Sequence, residues 1–332
     1  MLVSKTFCFS KCGTSLRLAS ILPRNTRPVG RAFSAYPMAD PIEKAKETAA
    51  RKAVEDHFDP AARYIGIGSG STIVFVVQAI KDRNEDLSRI RFVPTGYQSR
   101  QVIVKAGLQP IHFDSLPSGV LLDVAFDGAD EVDEDLNCIK GGGACLYQEK
   151  LVATHARKFI CVADQRKLQS RLLSKWDRIP IEVEPLAAHS VLERLAALGS
   201  QEAAIRSGAI EKSGPIKTDQ DNFIVDAKFK HPLLPTPTEA EGDVQGAKED
   251  RQWAVETLAK EIKQIEGVLS VGLFCGENGL EAEKAGKSAG GQKPVAAYFG
   301  MENGSVVIRK AGETDVVVNK QGEEKTKDSL QR

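Results

Sequence analysis

The chain has 332 residues, 42% of them hydrophobic and 27% charged, enough for about two domains at roughly 100–200 residues each. Lys+Arg and Asp+Glu stand at 45 each, so no overall basic field exists to draw nucleic acid or a membrane surface. No apolar run approaches the roughly 20 residues of a bilayer span. The six cysteines and five histidines form neither a CxxC pair nor a ligand pattern, which points to a reducing compartment and no metal.

Residues 1–39 contain no Asp or Glu, several serines, and the bases Lys5, Lys11, Arg17, Arg24, Arg27 and Arg31. That is the composition of a mitochondrial transit peptide, and Arg31-Ala-Phe-Ser34 resembles a matrix-peptidase site. Met38 equally suits a mature N-terminus, which would make 1–39 a disordered extension behind an upstream start. Either way the segment stands outside the fold.

From residue 40 the pattern alternates. Asp40 as N-cap and Pro41 in the first turn predict a helix over 41–58. A strand over 64–68, a small-residue turn at 69–72 and a helix over 73–80 follow. Next come strands at 91–94, 121–126 and 159–163, with helices at 98–106 and 144–156 between them. Such alternation implies a mostly parallel sheet covered on both faces, an α/β architecture. The rhythm then changes to strand 179–183, helix 190–198, strands 203–206 and 223–229, helix 253–265 and strand 268–274. That βαββαβ order is the ferredoxin-like unit, a smaller α+β domain over 178–274. The larger domain would be 40–177, with 275–310 returning to it. Residues 277–293, rich in Gly, Lys and Glu, read as a mobile loop. Residues 294–309 read as a hairpin turning at Glu302-Asn303-Gly304, and 311–332 as a charged, disordered tail.

Four segments carry chemistry. In Gly66-Ile-Gly-Ser-Gly-Ser-Thr72, a strand runs into a helix whose free N–H groups form an anion site, with hydroxyls from Ser69, Ser71 and Thr72. A dinucleotide fingerprint would need glycine at 71, and a P-loop would need a lysine. What remains is a site for one phosphate, or a tight βα turn needing only small residues. Asp127-Gly128-Ala129-Asp130 closes a strand, where ligands of open α/β sheets sit, and its carboxylates suit sugar hydroxyls or proton transfer. The acids after it, Asp133, Glu134 and Asp135, read as a solvated loop. Lys140-Gly141-Gly142-Gly143 lets a ligand approach the backbone, and Lys140 could stabilise charge on a substrate oxygen. Glu149 on the next helix is a candidate general base, or a surface residue pairing with Lys150 or Lys158. Lys167, past a further strand, could neutralise a phosphate or simply be solvated. All these groups fall at one edge of one sheet. Their combination suits proton transfer on a small phosphorylated hydroxy compound.

GIGSGST (66–72), DGADEVD (127–133), IKGGGACLYQEKLVA (139–153) and FICVADQRKL (159–168) resemble the A-type ribose-5-phosphate isomerases in order and spacing. The resemblance spans about 42–275, with IPIEV, FIVDAKF and IEGVLSVGLF. It implies a Rossmann-like parallel-sheet domain with a smaller ferredoxin-like α+β domain. It also implies interconversion of ribose 5-phosphate and ribulose 5-phosphate in the non-oxidative pentose phosphate pathway. No cofactor and no metal are implied, and neither is a nucleic-acid or membrane partner. The implied assembly is a homodimer or homotetramer and the implied location cytoplasmic, or mitochondrial if 1–39 directs import. By the same resemblance Ser69, Gly70, Ser71 and Thr72 bind substrate, as do Gly128, Ala129, Asp130, Gly141, Gly142, Gly143 and Lys167. Asp127 helps open the furanose ring, Lys140 stabilises the enediolate and Glu149 is the base. Lys44 or Lys46 corresponds to a lysine near the phosphate. The departures are serine at position 69, the 1–39 extension, an insert over 230–250, the 277–293 loop and the tail. The competing activities are an amino-sugar-phosphate isomerase/deaminase and a non-catalytic sugar-phosphate sensor.

Overall fold

The computed structural model of the chain describes residues 40–208, 213–234, 244–245, 252–288 and 290–326. Residues 1–39, read above as a transit peptide or an extension, and most of the 230–250 insert lie outside the described residues.

The first helix, α1 (Pro41–His57), begins as its sequence dictates: Asp40 accepts the N–H of Ile42 at 3.0 Å. Its alanine face, Ala45, Ala49, Ala50 and Ala53, is fully buried. Small side chains let the helix lie close on the sheet, and a Cβ at Gly300 would come within 1.8 Å of the Ala45 carbonyl. Then follow β1 (Tyr64–Ile67), α2 (Ser71–Asp82), β2 (Arg91–Pro94), α3 (Tyr97–Lys105) and β3 (Val124–Asp127). Two-residue strands β4 (Glu131–Val132) and β5 (Cys138–Ile139) precede α4 (Leu146–Thr154) and β6 (Phe159–Asp164).

The ferredoxin-like unit comprises β7 (Ile179–Val183), α5 (Ala188–Ala197), β8 (Glu202–Ile205), β9 (Phe223–Lys228), α6 (Val255–Lys263) and β12 (Val268–Val271). Between β9 and α6, β10 (Val244–Gln245) and β11 (Gln252–Trp253) form a short antiparallel ribbon. The unit's strands order β12-β7-β9-β8, antiparallel throughout. Its core includes Ile181, Val191, Val225, Leu258 and Ile262.

The predicted strand over 268–274 breaks at Gly272. A Cβ there would meet the carbonyls of Pro180 and Lys140 at 2.5 and 2.6 Å. Beyond the break, β13 (Leu273–Phe274) joins β5 and β4 in a separate three-stranded sheet. The expected mobile loop over 277–293 instead contains α7 (Gly279–Lys284). Asn278 accepts the N–H groups of Leu280 and Glu281, while Glu281 reaches back to the Asn278 N–H, a capping box.

The predicted hairpin is β14 (Ala296–Gly300) and β15 (Val306–Lys310). The expected charged tail is also corrected in part, since β16 (Val316–Val318) and β17 (Glu324–Thr326) extend the sheet. The large sheet orders β17-β16-β15-β14-β6-β3-β1-β2, parallel from β14 to β2 and antiparallel beyond. Ile65, Ile67, Phe92 and Phe126 are wholly buried in it, each worth roughly 1.5–3 kcal/mol of transfer free energy. The chain leaves β1 for β2 on one side and returns to β3 on the other. That reversal opens a crevice at the carboxyl ends of β1 and β3, where α/β sheets bind ligands.

Candidate active site

Two glycines shape the β1 terminus. A Cβ on Gly66 would lie 2.6 Å from Val152 of α4 and 2.7 Å from Ala125, so glycine here lets α4 settle on the sheet. A Cβ on Gly68 would fall 1.8 Å from Asp127 Oδ1, so glycine there makes room for that carboxylate. Gly70 follows at φ 104° and caps α2 without a side chain. Among the described residues, no protein acceptor takes the N–H groups of Ser71 and Thr72, which leaves the α2 start as an anion-binding end. The Gly70 N–H is held by Gln98 at 2.6 Å, and the Ser69 hydroxyl lies 2.9 Å from that of Thr95. Lys46 of α1 donates to Ser71 Oγ at 2.9 Å and pairs with Glu43 at 2.6 Å. It is this lysine that reaches the α2 start, whereas Lys44 lines a separate surface groove.

The carboxylates of the second segment do different work. Asp127 is 4% exposed and does not line the cleft. Its Oδ1 accepts the N–H groups of Ser69 at 3.2 Å and Gly128 at 2.8 Å, and its Oδ2 lies 2.9 Å from Lys140 Nζ. Asp127 is thus set behind Lys140, with three of the roughly four acceptor positions of its carboxylate filled by Ser69, Gly128 and Lys140. Asp130 does line the cleft, and it also accepts the Gly142 N–H at 2.8 Å, pinning the glycine loop. Burial raises its carboxyl above the ordinary value, against the pull of that N–H and of Lys140, Lys167 and Arg206. Asp133 corrects the expectation of a solvated loop. It is buried, binds the N–H and side-chain amide of Asn137 at 2.7 and 2.9 Å, and burial pushes its carboxyl up to about 6. Glu134 and Asp135 are exposed as expected.

Lys140 and Glu149 meet at the centre, 3% and 5% exposed. Lys140 Nζ donates to the Gly128 carbonyl at 2.6 Å and pairs with Asp127 at 2.9 Å and Glu149 Oε2 at 3.5 Å. Burial alone would depress the ammonium; the charges of Asp127 and Glu149 outweigh it and raise its pKa. Burial pushes the Glu149 carboxyl up to about 7, opposed by Lys140 and reinforced by Asp127 and Asp130. At 3.5 Å the lysine is a charge neighbour without hydrogen-bond alignment, and Glu149 Oε2 accepts no hydrogen bond. A buried, unsatisfied carboxylate oxygen with a pKa near neutrality is what a general base needs. The alternative of Glu149 as a surface residue paired with Lys150 or Lys158 is excluded by this burial.

Glu149 is held from behind. Glu182 of β7, wholly buried, accepts the Tyr147 N–H at 2.7 Å and so caps the start of α4. Arg206, just past β8, pairs with Asp226 through Nε and Nη2, at 2.7 and 2.5 Å. Its Nη1 also donates to the carbonyls of Gly141 and Gly142 at 3.1 and 3.0 Å. Neither Glu182 nor Arg206 stands out in the sequence, because each looks like an ordinary polar residue of an amphipathic strand.

Lys46, Ser69, Gly70, Ser71, Thr72, Gly128, Ala129, Asp130, Lys140, the three loop glycines, Glu149 and Lys167 share one cleft of about 260 Å³. Arg166 joins them, held by Asp164 at 2.7 and 2.9 Å. The α2 start with Lys46 suits a phosphate, and Lys140, Asp130 and Glu149 suit a hydroxylated carbon chain; Lys167, whose charge acts on Asp130, lines the same cleft. A larger cavity of about 600 Å³ lies elsewhere, beside α6. Among the described residues, no His, Cys, Asp and Glu group of three or more could hold a metal ion, and no helix is long and apolar enough to cross a membrane.

Comparison with known proteins finds the same chemistry named. The model of the ribose 5-phosphate isomerase A (phosphoriboisomerase A) family matches residues 91–280. A ribose-5-phosphate isomerase of Mycosarcoma maydis is 43% identical over 272 residues, 81% of this chain and 82% of that protein. One from Schizosaccharomyces pombe is 41% identical over 279 residues, 83% of this chain and 87% of that protein. A solved D-ribose-5-phosphate isomerase in complex with phospho-erythronic acid superposes with a TM-score of 0.63 at 30% identity, covering 81% of this chain and 99% of that one.

Proposed function

The chain belongs to the ribose 5-phosphate isomerase A family and interconverts D-ribose 5-phosphate and D-ribulose 5-phosphate in the pentose phosphate pathway; on that premise we propose that Glu149 carries the proton between C2 and C1. The observation that supports this most is its buried Oε2, which accepts no hydrogen bond at the sugar end of the cleft.

The phosphate sits at the start of α2, held by the N–H groups of Ser71 and Thr72 and by Lys46 and Lys167. Lys140 has three ammonium hydrogens. Gly128 and Asp127 take two of them, and the third is available to a substrate oxygen. Ring opening is carried by the Asp127–Lys140 pair, with the lysine as the member that reaches the cleft. Glu149 removes the C2 proton of the open aldose, and the C2–H electron pair becomes the C1–C2 double bond of a cis-enediol(ate). Charge gathers on the oxygens beside Lys140, which stabilises it in a site sheltered from water. The loop N–H groups of Gly141 and Gly143 have no protein acceptor among the described residues and are available to the same oxygens. That of Gly142 is held by Asp130. A proton passes from O2 to O1 within the enediolate, and Glu149 returns the C2 proton to C1, giving the ketose.

Phospho-erythronic acid, bound in the related structure, carries a carboxylate where the enediolate would hold its negative charge. This fits a site built around Lys140. A homodimer or homotetramer in the cytoplasm completes the reading. Light scattering of the full chain tests the assembly, and fractionation of cells expressing a tagged full chain tests the location. The catalytic reading is tested by turnover of ribose 5-phosphate under chelator, for the wild type and Glu149→Gln. Turnover is expected in the first and loss of about 10³-fold or more in the second. Near-normal turnover by the variant would remove Glu149 from the reaction. Ammonia release from glucosamine 6-phosphate would favour the amino-sugar alternative.

A further inference from the structure

The cavity of about 600 Å³ beside α6 takes no part in the chemistry above, yet two of its walls carry unanswered polar groups. The first is Lys150, the residue after the proposed base. Its Nζ donates to the Leu273 carbonyl at 2.7 Å and to Gln292 Oε1 at 2.8 Å, and lies 3.7 Å from the centre of the Phe274 ring. No carboxylate lies within ion-pair distance of it among the described residues, and one ammonium hydrogen is left over. The side chain is partly buried. Desolvation pushes the amine down to about 7, with Lys140 and Lys263 adding to the effect. The second is Ser270 of β12, 2% exposed, whose Oγ has no hydrogen-bond partner.

A part-buried amine without a counter-ion and a buried hydroxyl without a partner both call for an explanation in a folded protein. The other charges on the cavity wall cancel: Lys260 and Lys263 stand against Glu256 and Glu261, all on α6. Lys150 is the charge left over. Both groups belong to the lining of this one cavity, and its volume falls in the range of small-molecule sites.

We propose that this cavity is a second ligand site, which takes a small organic anion with its phosphate or carboxylate head between Lys150 and Ser270. The site adjoins the catalytic machinery. Phe274 packs against Lys150 on one hand and has Lys140 Nζ 5.5 Å from its ring centre on the other.

The test is calorimetric titration of the full chain with phenyl phosphate and, separately, with benzoate, which distinguishes the two head groups. At least one probe should bind the wild type. Lys150→Met should weaken that binding about tenfold or more, and Ser270→Ala, which removes one buried oxygen and leaves the fold intact, should weaken it several-fold. Lys167→Ala, which weakens the catalytic phosphate site, should retain a binding event of wild-type affinity, and Lys150→Met should lose it. The proposal is overturned if neither probe binds. It is also overturned if Ser270→Ala binds unchanged, or if Lys167→Ala retains no binding event of wild-type affinity.

Discussion

Lys140 Nζ sits 2.9 Å from Asp127 but 3.5 Å from Glu149, so the lysine is anchored by one carboxylate and only attracted by the other. The asymmetry divides the labour. Asp127 fixes the cation, while Glu149 keeps an oxygen free for the substrate proton. A fully formed Lys140–Glu149 hydrogen bond would lower the carboxyl pKa and occupy that oxygen.

The elevated Glu149 carboxyl sets the pH dependence. The base must be ionised, so kcat/KM should rise about tenfold per pH unit below 7 and level off above it. The substrate phosphate titrates near 6, about a unit lower, and should add curvature at the acid end. The sign for stability is opposite. A carboxyl raised from 4.5 to about 7 on folding contributes stability that is full below pH 4.5 and is lost as pH rises through 7. Thermal melts should therefore show Glu149→Gln gaining on the wild type between pH 5 and 8. A flat rate profile across that range, with a constant difference in melting temperature, would contradict the assignment.

At the phosphate end, Lys167→Ala and Lys46→Ala should each raise KM for ribose 5-phosphate by roughly 10–100-fold, the worth of a charge-assisted hydrogen bond, and leave kcat within a few-fold. Lys44→Ala is the control: its side chain lines another groove, and its KM should equal the wild-type value. Steady-state kinetics of the three variants decide the matter. An unchanged KM in Lys167→Ala would take that residue out of the phosphate site.

Arg206 is a positioning residue. It ties the glycine-loop carbonyls to Asp226 of the ferredoxin-like unit without reaching the cleft itself. Lysine cannot reproduce the two-pronged geometry. Arg206→Lys should lower kcat about tenfold or more, as a small displacement of a catalytic loop does, while KM moves little. A variant that loses only thermal stability, with kcat intact, would reduce Arg206 to a structural role.

Much of this was legible in the chain. The alternation of strands and helices from β1 to β6 follows directly from apolar runs separated by turns. The βαββαβ order of the second unit is equally plain. Lys140, Glu149 and Lys167 announced themselves because glycines or strand ends stand beside them. Asp127 looked like a sugar contact because it ends a buried strand. Only the packing against Gly68 and Ser69 shows its carboxylate turned toward Lys140. Asp133 looked solvated among other acids, and its burial depends on Asn137 folding back. Strands β4 and β5 are two residues each, too short for periodicity to mark. Strands β16 and β17 form because β15 offers a free edge, which no local pattern records. Arg206 and Glu182 act from a different sheet, and such long-range pairing has no trace in local sequence.

The most direct test of the central claim follows deuterium by nuclear magnetic resonance as ribose 5-phosphate is incubated in heavy water. With the wild type, ribulose 5-phosphate should accumulate and solvent deuterium should enter at C1, because Glu149 can exchange its proton before returning it. With Glu149→Gln, neither product nor label should appear on that timescale, while a phosphate ligand still binds with near-wild-type affinity. Label entering at C1 at a comparable rate in the variant would show that another group moves the proton.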